Sequence, residues 1–178
     1  MGASEYADNI LTMSSVTGMS ADSLQAYQYA AELVDTSLET LTGSMAKNVH
    51  SMSLAQAGTG KMADAYKALG ISVTDSNGNL RDSETVYWEA IDALGSVSNE
   101  TERDALAMQL FGKSAQELNP LIEQGSAGIA ALTGEAERMG AVMSTESLEA
   151  LGKFDDSVQR LKSGGAAAKN VLGMVLLP

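Results

Sequence analysis

The feature that most constrains this fold is a stripe of apolar residues between positions 24 and 52. Its members follow one another at steps of three or four residues, which places them along one face of an α-helix. A continuous helix over this stretch would be about 40 Å long at about 1.5 Å per residue, and Gly43 near its centre marks a candidate kink. So long a stripe needs packing partners. It consists of Leu24, Tyr27, Ala31, Val34, Leu38, Leu41, Met45, Val49 and Met52.

The rest of the chain continues this helical period with one interruption. Residues 71–74 alternate briefly between apolar and polar side chains, and Asn77-Gly78 follows them. Asn-Gly readily supplies the positive φ angles of a tight hairpin turn. The sequence therefore predicts a mainly α fold, in which helical hairpins or a bundle surround one small β-hairpin at residues 70–82.

Capping signals mark two helix starts in the second half of the chain. Asn99 is followed three residues later by Glu102, and Ser114 by Glu117, as in capping boxes. The residue pair 111–112, Phe-Gly, separates the two segments. We therefore expect one helix from about residue 99 and a second from about residue 114.

Two further expectations concern the C-terminal third. Pro120 lies too far into the second of these helices for a first-turn position, so a bend is expected at Asn119-Pro120. A last helix is expected from about Thr145. Its apolar face would contain Leu148, Leu151, Phe154, Val158 and Leu161.

These patterns divide the chain into four segments. Residues 1–56 form an N-terminal helical hairpin with the long amphipathic helix, and residues 57–61 a linker. Residues 62–143 form a helical module with the β-hairpin, and residues 144–178 a C-terminal helix with an apolar tail. The abrupt start and the apolar end at 171–178 indicate a fragment of a longer protein.

Charge and cysteine content exclude several classes of function. The formal net charge of −12 repels the phosphate backbone, so no direct nucleic-acid site is expected. There is no cysteine, hence no disulfide and no thiolate metal site. The apolar run 171–177 is shorter than the roughly 20 residues of a membrane-spanning helix. Membrane contact is expected only through regions of a parent protein beyond Pro178.

Gly60-Lys61 resembles the end of a phosphate-binding loop, but the match is incomplete. That motif requires a glycine at position 55, which is Ala55, and a hydroxyl residue at position 62, which is Met62. We interpret the segment as a linker.

Asp75, Asn77 and Asn79 alternate as in a calcium-binding loop. The required glycine is the fourth residue instead of the sixth, and the twelfth residue is Val86 in place of glutamate. A plain turn is therefore favoured.

No arrangement of side chains predicts catalysis. His50 is the sole histidine, and one imidazole without thiolates forms no zinc site. Three carboxylate pairs lie on polar helix faces with no aromatic platform for a sugar. We predict no catalytic, cofactor or metal-binding residue, and a protein that is not an enzyme. The pairs are Glu135 and Glu137, Glu146 and Glu149, and Asp155 and Asp156.

Three segments, residues 70–83, 99–122 and 139–144, together resemble the core region of phage tail tape measure proteins, particularly those of siphophages and prophages of Gram-positive hosts. The resemblance covers about residues 20–162 and is most specific over Phe111–Ile122. The order of hairpin, Trp-bearing helix, Phe-Gly break and Asn-Pro is also similar.

This resemblance implies a structural role in tail assembly. Such proteins lie extended in the tail tube, set its length and leave it during genome ejection. It implies a location in the lumen of the virion tail, and in the host cytoplasm during assembly. The implied partners are the tail tube protein, tail assembly chaperones and tail tip proteins, with self-association through long helical stripes as in a coiled coil.

Two alternatives stay open. One is a non-enzymatic binding or scaffold module, such as a chaperone-docking domain, in a multi-protein assembly. The other is a fragment of a virion enzyme that acts during host entry.

Overall fold

The computed structural model describes residues 2–153 and residue 157. This part of the chain is mainly helical, which confirms the predicted class. Residues 145–153 are also helical. The named elements are α1 (Ala3–Thr17), α2 (Ala21–Leu33), α3 (Leu38–Ala55), α4 (Lys61–Ala68), α5 (Ser83–Gly95), α6 (Glu100–Phe111), a 3-10 helix (Lys113–Leu118) and α7 (Asn119–Arg138).

The chain folds as two compact units. Unit 1 combines residues 2–25 with the described residues from 142 onward, and unit 2 comprises residues 26–141. Within unit 1, the buried Gln25 side chain bonds both backbone groups of Met143, at 2.8 Å to its carbonyl and 2.9 Å to its N–H. The segments 1–56 and 62–143 do not coincide with these units, because α3 packs against α4, α5 and α6 inside unit 2.

The expected single helix from Leu24 to Met52 is wrong, because α2 and α3 are separate helices. Asp35 adopts a left-handed conformation with φ of 56° after the end of α2. Its N–H donates to the Glu32 carbonyl at 3.3 Å, and the Thr36 N–H donates to the Ala31 carbonyl at 2.9 Å. This pair of bonds is a Schellman motif, which ends a helix.

The start of α3 was also marked in the sequence. The Ser37 hydroxyl accepts from the Thr40 N–H at 3.0 Å and thereby caps α3. Asp tolerates the left-handed conformation and Ser is a favoured N-cap, so Asp35-Thr36-Ser37 was the overlooked stop-and-start signal. Gly43 lies inside α3 and does not have a positive φ.

The apolar stripe is largely covered by the chain itself. Leu41 and Met52 are each 1% exposed, in a core shared with α4, α5, α6 and the 3-10 helix. Val49 is the exception, at 49% exposed. The part of the stripe on α3 is therefore mostly buried within unit 2.

The β-hairpin expected at residues 70–82 does not form as paired strands. No strand is present among the described residues, and one antiparallel bridge joins Thr74 to Leu80. The Arg81 guanidinium donates to the Ser72 carbonyl at 2.7 Å and pairs with Glu89 of α5. The alternating run is too short for a ladder, so these bonds fix a closed loop instead.

The helix start at Asn99 is confirmed, because the Asn99 side chain accepts from the Glu102 N–H at 3.1 Å. The break at Phe111-Gly112 is confirmed as well. The segment after it is a 3-10 helix, so α7 begins only at Asn119 and Pro120 occupies its first turn. The expected bend is thus a helix start, where the missing N–H of proline has no cost.

The last expected helix is seen in part. Residues 145–153 are helical and Leu148 is fully buried. Phe154, Val158 and Leu161, and the apolar tail, lie outside the described residues.

A row of buried polar side chains on α3 joins the helices of unit 2. Ser44, Asn48 and Ser51 are each 0% exposed. The Ser44 hydroxyl shares a 2.7 Å hydrogen bond with the Tyr87 hydroxyl of α5. The Ser51 hydroxyl donates to the Leu110 carbonyl of α6 at 2.8 Å. We call these three residues the polar row.

Asn48 has the most partners in the polar row. Its Oδ1 accepts from the Tyr66 hydroxyl of α4 at 2.7 Å, and its Nδ2 donates to the Ser83 carbonyl of α5 at 3.0 Å. Burial raises the pKa of Tyr66 far above its usual range, so this hydroxyl stays a donor. One amide thus fixes α3, α4 and α5 relative to one another.

The first prediction tests this amide. Asn48→Leu removes the donor to the Ser83 carbonyl and leaves the Tyr66 hydroxyl with only the residue 48 backbone carbonyl at 3.4 Å as an acceptor. It should lower the free energy of unfolding by about 2 kcal/mol. Tyr66→Phe in the Asn48→Leu background should recover part of that loss, because it removes a buried hydroxyl that has lost its short hydrogen bond. Urea unfolding of the two single variants and the double variant measures this coupling. Strictly additive effects would contradict the described bond.

A second prediction distinguishes two helices from one. Asp35→Gly should stabilise the chain by about 1 kcal/mol, because glycine adopts positive φ without strain. In a continuous helix the same change would destabilise by a similar amount. Gly43→Ala, inside α3 with open space around it, should stabilise by about 1 kcal/mol in either case and is the control. Thermal and urea unfolding give the signs.

Candidate functional site

Gly60-Lys61 lies at the junction of two helices. Gly60 is the N-cap of α4 with φ of 89°, and Lys61 is the first residue of that helix. The preceding element is α3, which ends at Ala55. A phosphate-binding loop follows a strand, so the surroundings differ from those of that motif as well.

The carboxylate of Asp75 faces the backbone of its own turn. Asp75 Oδ1 accepts from the backbone N–H of Asn77 at 2.8 Å and of Asn79 at 2.9 Å. The backbone N–H of Asn79 contributes most to lowering the pKa of this carboxyl, followed by that of Asn77. This carboxylate therefore stabilises the turn at residues 75–79.

The remaining residues considered from sequence stay apart. His50 is exposed on α3, and Glu137, Glu146 and Glu149 are exposed too. Glu149 pairs with Lys153 at 3.4 Å. Asp155 and Asp156 lie outside the described residues. Within residues 2–153, no group of three or more histidine or carboxylate side chains is close enough to hold a metal ion.

A carboxylate of α5 organises the middle of α7. Gly125 interrupts α7 with φ of 71° and ψ of 171°. Asp92 accepts from the Ser126 N–H at 2.7 Å and from its hydroxyl at 2.5 Å. The helix therefore restarts at Ser126 with Asp92 as its cap, which sets the direction of the following two turns.

The restarted helix forms one wall of a groove in unit 2. This aromatic groove has a volume of about 310 Å³ and lies between α2, α5 and α7. That volume is at the lower end of the range for ligand pockets. Its lining residues are Tyr27, Glu84, Trp88, Ser126, Ala127, Ile129, Ala130 and Thr133.

Two aromatic rings and a carboxylate dominate the aromatic groove. The Tyr27 and Trp88 rings stack with centroids 5.8 Å apart and planes inclined by 29°. The Trp88 indole N–H donates to the Tyr27 hydroxyl at 3.3 Å, and that hydroxyl donates to Glu84. Burial, and then the bond to Glu84, raise the pKa of Tyr27 far above its usual range, so the hydroxyl remains protonated.

Ser126 is the serine among the residues that line the groove. The Ser126 hydroxyl faces the carboxylate of Asp92 and acts as part of a helix cap. A serine nucleophile needs a neighbouring base such as histidine, and His50 is not among the residues of the groove. Of its residues, the sequence analysis named Tyr27 as a member of the apolar stripe and placed Trp88 on a helix as part of the resemblance. The sequence analysis did not name Glu84 or Ser126. The local signals at these positions are an acidic residue in the first turn of a helix for Glu84, and the Gly125-Ser126 pair.

Comparison of the chain with protein-family models, with curated proteins and with solved structures finds no match. Within residues 2–153, every helix is too short or too polar to cross a membrane.

The third prediction concerns the Asp75 turn. A folded-state pKa below the ordinary value of 3.8 means that the carboxylate stabilises the fold above that pH. This contribution is lost as the pH falls through the lower folded value. The difference in free energy of unfolding between the wild type and Asp75→Asn should therefore shrink from about pH 6 to about pH 2. Urea unfolding across this range measures it, and a difference that grows toward low pH would contradict the turn geometry.

Proposed function

We propose that this chain is a structural segment of a phage tail tape measure protein, which sets tail length during assembly and is released during genome ejection. The observation that carries this proposal is the resemblance of Phe111–Ile122 to the core region of that family. Phe111 ends α6, Gly112 has φ of 85°, and Pro120 lies in the first turn of α7. The most specific part of the resemblance therefore consists of residues that set helix boundaries.

The packing of unit 2 also supports a mechanical role. Its helices are joined by apolar burial and by the polar row, whose side chains serve as structural bonds. The net charge of −12 would discourage adhesion to DNA that passes through the same tube. The proposed location is accordingly the lumen of the virion tail, and the host cytoplasm during assembly.

The proposed partners are other copies of the chain, the tail tube protein, tail assembly chaperones and tail tip proteins. Most of the apolar stripe is buried within the chain, so it is not the contact surface of the folded unit. Neighbours would contact exposed apolar side chains on several different elements. Those in the described residues are Val16, Leu33, Val49, Leu54, Leu80, Met108 and Met139.

A second candidate is a non-enzymatic binding or scaffold module of a multi-protein assembly. The aromatic groove favours it, because two stacked rings beside a carboxylate form a recognition surface that a purely mechanical segment does not need. The two candidates predict different determinants of function. For a tape measure segment the number of residues determines tail length, whereas for a binding module the groove determines activity and tail length is independent of the number of residues.

The fourth prediction separates them in the phage or prophage that encodes the chain. In-frame deletion of codons 26–141 should shorten the tail, and tandem duplication should lengthen it, each by up to about 170 Å if the segment is helical in the tube. Electron microscopy of purified particles measures tail length. Asn48→Leu is the matched control, since it weakens the fold without changing the number of residues and should leave tail length unchanged.

Tails of wild-type length from both the deletion and the duplication would contradict the tape measure role and favour the binding module. Incubation of the purified chain with peptidoglycan tests the remaining alternative. Release of soluble fragments would show enzymatic activity and overturn both structural proposals.

A further inference from the structure

The turn between α4 and α5 contains the one asparagine–glycine pair of the chain, Asn77-Gly78. Both residues are exposed. In such a pair the backbone nitrogen of the glycine can attack the side-chain amide of the asparagine, because glycine has no side chain to hinder the approach. Apart from its chain neighbours, no described residue comes within 4 Å of the position where a Cβ of Gly78 would lie. The pair therefore has the composition and the access that spontaneous deamidation requires.

The side-chain amide of Asn77 is available for this reaction. It forms no hydrogen bond with a described residue, whereas the backbone N–H of Asn77 donates to Asp75. Asn79 offers a comparison within the same turn. Its Nδ2 donates to Asp75 Oδ2 at 3.4 Å, and it is followed by Leu80, whose side chain hinders attack by the backbone nitrogen. The turn thus distinguishes the two asparagines.

The hydrogen bonds of the closed turn oppose the reaction. The Gly78 N–H, whose nitrogen is the nucleophile, donates to the Asp75 carbonyl at 3.1 Å. Asp75 Oδ1 also holds the backbone N–H groups of Asn77 at 2.8 Å and of Asn79 at 2.9 Å. Before attack the nitrogen must lose its proton and rotate toward the Asn77 side chain, and these changes break bonds to Asp75. Local opening of the turn therefore precedes the chemistry.

We propose that Asn77 is a site of spontaneous deamidation and that Asp75 sets its rate by holding the turn closed. The Gly78 nitrogen forms a bond to the Asn77 Cγ, and the side-chain nitrogen leaves as ammonia with the proton that Gly78 loses. Water then opens the cyclic imide at either carbonyl and leaves aspartate or isoaspartate. One water is consumed and one ammonia is released, and no oxidant or cofactor takes part. This modification goes beyond the proposed structural function and is independent of it.

Deamidation changes the turn in two ways. Both products carry a carboxylate that the asparagine lacked, close to the carboxylate of Asp75, and like charges repel. Isoaspartate in addition inserts a methylene into the backbone between residues 77 and 78. The turn is closed by the bridge between Thr74 and Leu80. The modification should therefore weaken the bridge and loosen the connection between α4 and α5.

The purified chain is incubated at neutral and at mildly alkaline pH, digested with trypsin and measured by mass spectrometry. Both asparagines of the turn fall in the tryptic peptide of residues 68–81, so fragmentation compares them within one molecule. Samples taken before incubation give the background from digestion. We expect deamidation at Asn77 to exceed that at Asn79 and to give isoaspartate as well as aspartate. It should be faster at the higher pH, because the attacking nitrogen must be deprotonated.

Two comparisons test the role of Asp75. Asp75→Ala removes the acceptor of two backbone N–H groups and should accelerate deamidation of Asn77 about fivefold. Asp64→Ala, the same change at an exposed position of α4 outside the turn, should leave the rate as in wild type. Guanidinium chloride opens the turn of the wild-type chain without a substitution, and should accelerate the reaction at least as much.

Deamidation at Asn77 that is no faster than at Asn79 would overturn the assignment of the site. Aspartate without isoaspartate would overturn the route through the imide. A wild-type rate in Asp75→Ala, or equal rates in the native and the unfolded chain, would overturn the control by the turn. Circular dichroism establishes that each variant is folded. Tail length plays no part in these measurements, so their failure would leave the proposed structural function untouched.

Discussion

The structure of unit 2 depends on hydrogen bonds made by small polar side chains in the middle of its core. Ser44, Asn48 and Ser51 follow one face of α3 and bond to α5, α4 and α6. Apolar packing alone allows helices to slide and rotate, whereas a buried donor must meet its acceptor or lose about 1–3 kcal/mol. The polar row therefore selects one arrangement of the helices, and the surrounding Leu, Ile and Met side chains supply the burial.

Local signals allowed much of the fold to be predicted. The helix start at Asn99 was predictable because its side chain bonds to a residue only three positions away, and the break at Phe111-Gly112 because glycine readily adopts the positive φ found there. The same kind of signal is present at Asp35, although the continuous apolar period there predicts one helix. The spacing of apolar residues shows which face of a helix is buried. It continues without change across a break between two helices when both helices bury the same face. The expected bend at Pro120 is wrong because the 3-10 helix before it ends at Leu118, so Pro120 lies in the first turn of a new helix.

The aromatic groove could not be predicted in the same way. Tyr27 is a member of the apolar stripe, and nothing in the sequence shows that α2, α5 and α7 bring it together with Trp88 and Ile129. The hydrogen bonds of the groove are equally hidden in the sequence, because the packing of the helices decides which hydroxyl donates to which acceptor. Composition gave the overall negative charge, and the contacts show where one carboxylate is left beside two rings.

The interruption of α7 has a consequence for how unit 2 responds to tension. At Gly125 the backbone ladder of α7 is replaced by bonds to Asp92, so the two halves of the helix are held together through α5. The direction of the second half of α7 therefore depends on one carboxylate of a neighbouring helix. If tension breaks the Asp92 bonds, the two halves of α7 can separate at Gly125 without either half unwinding.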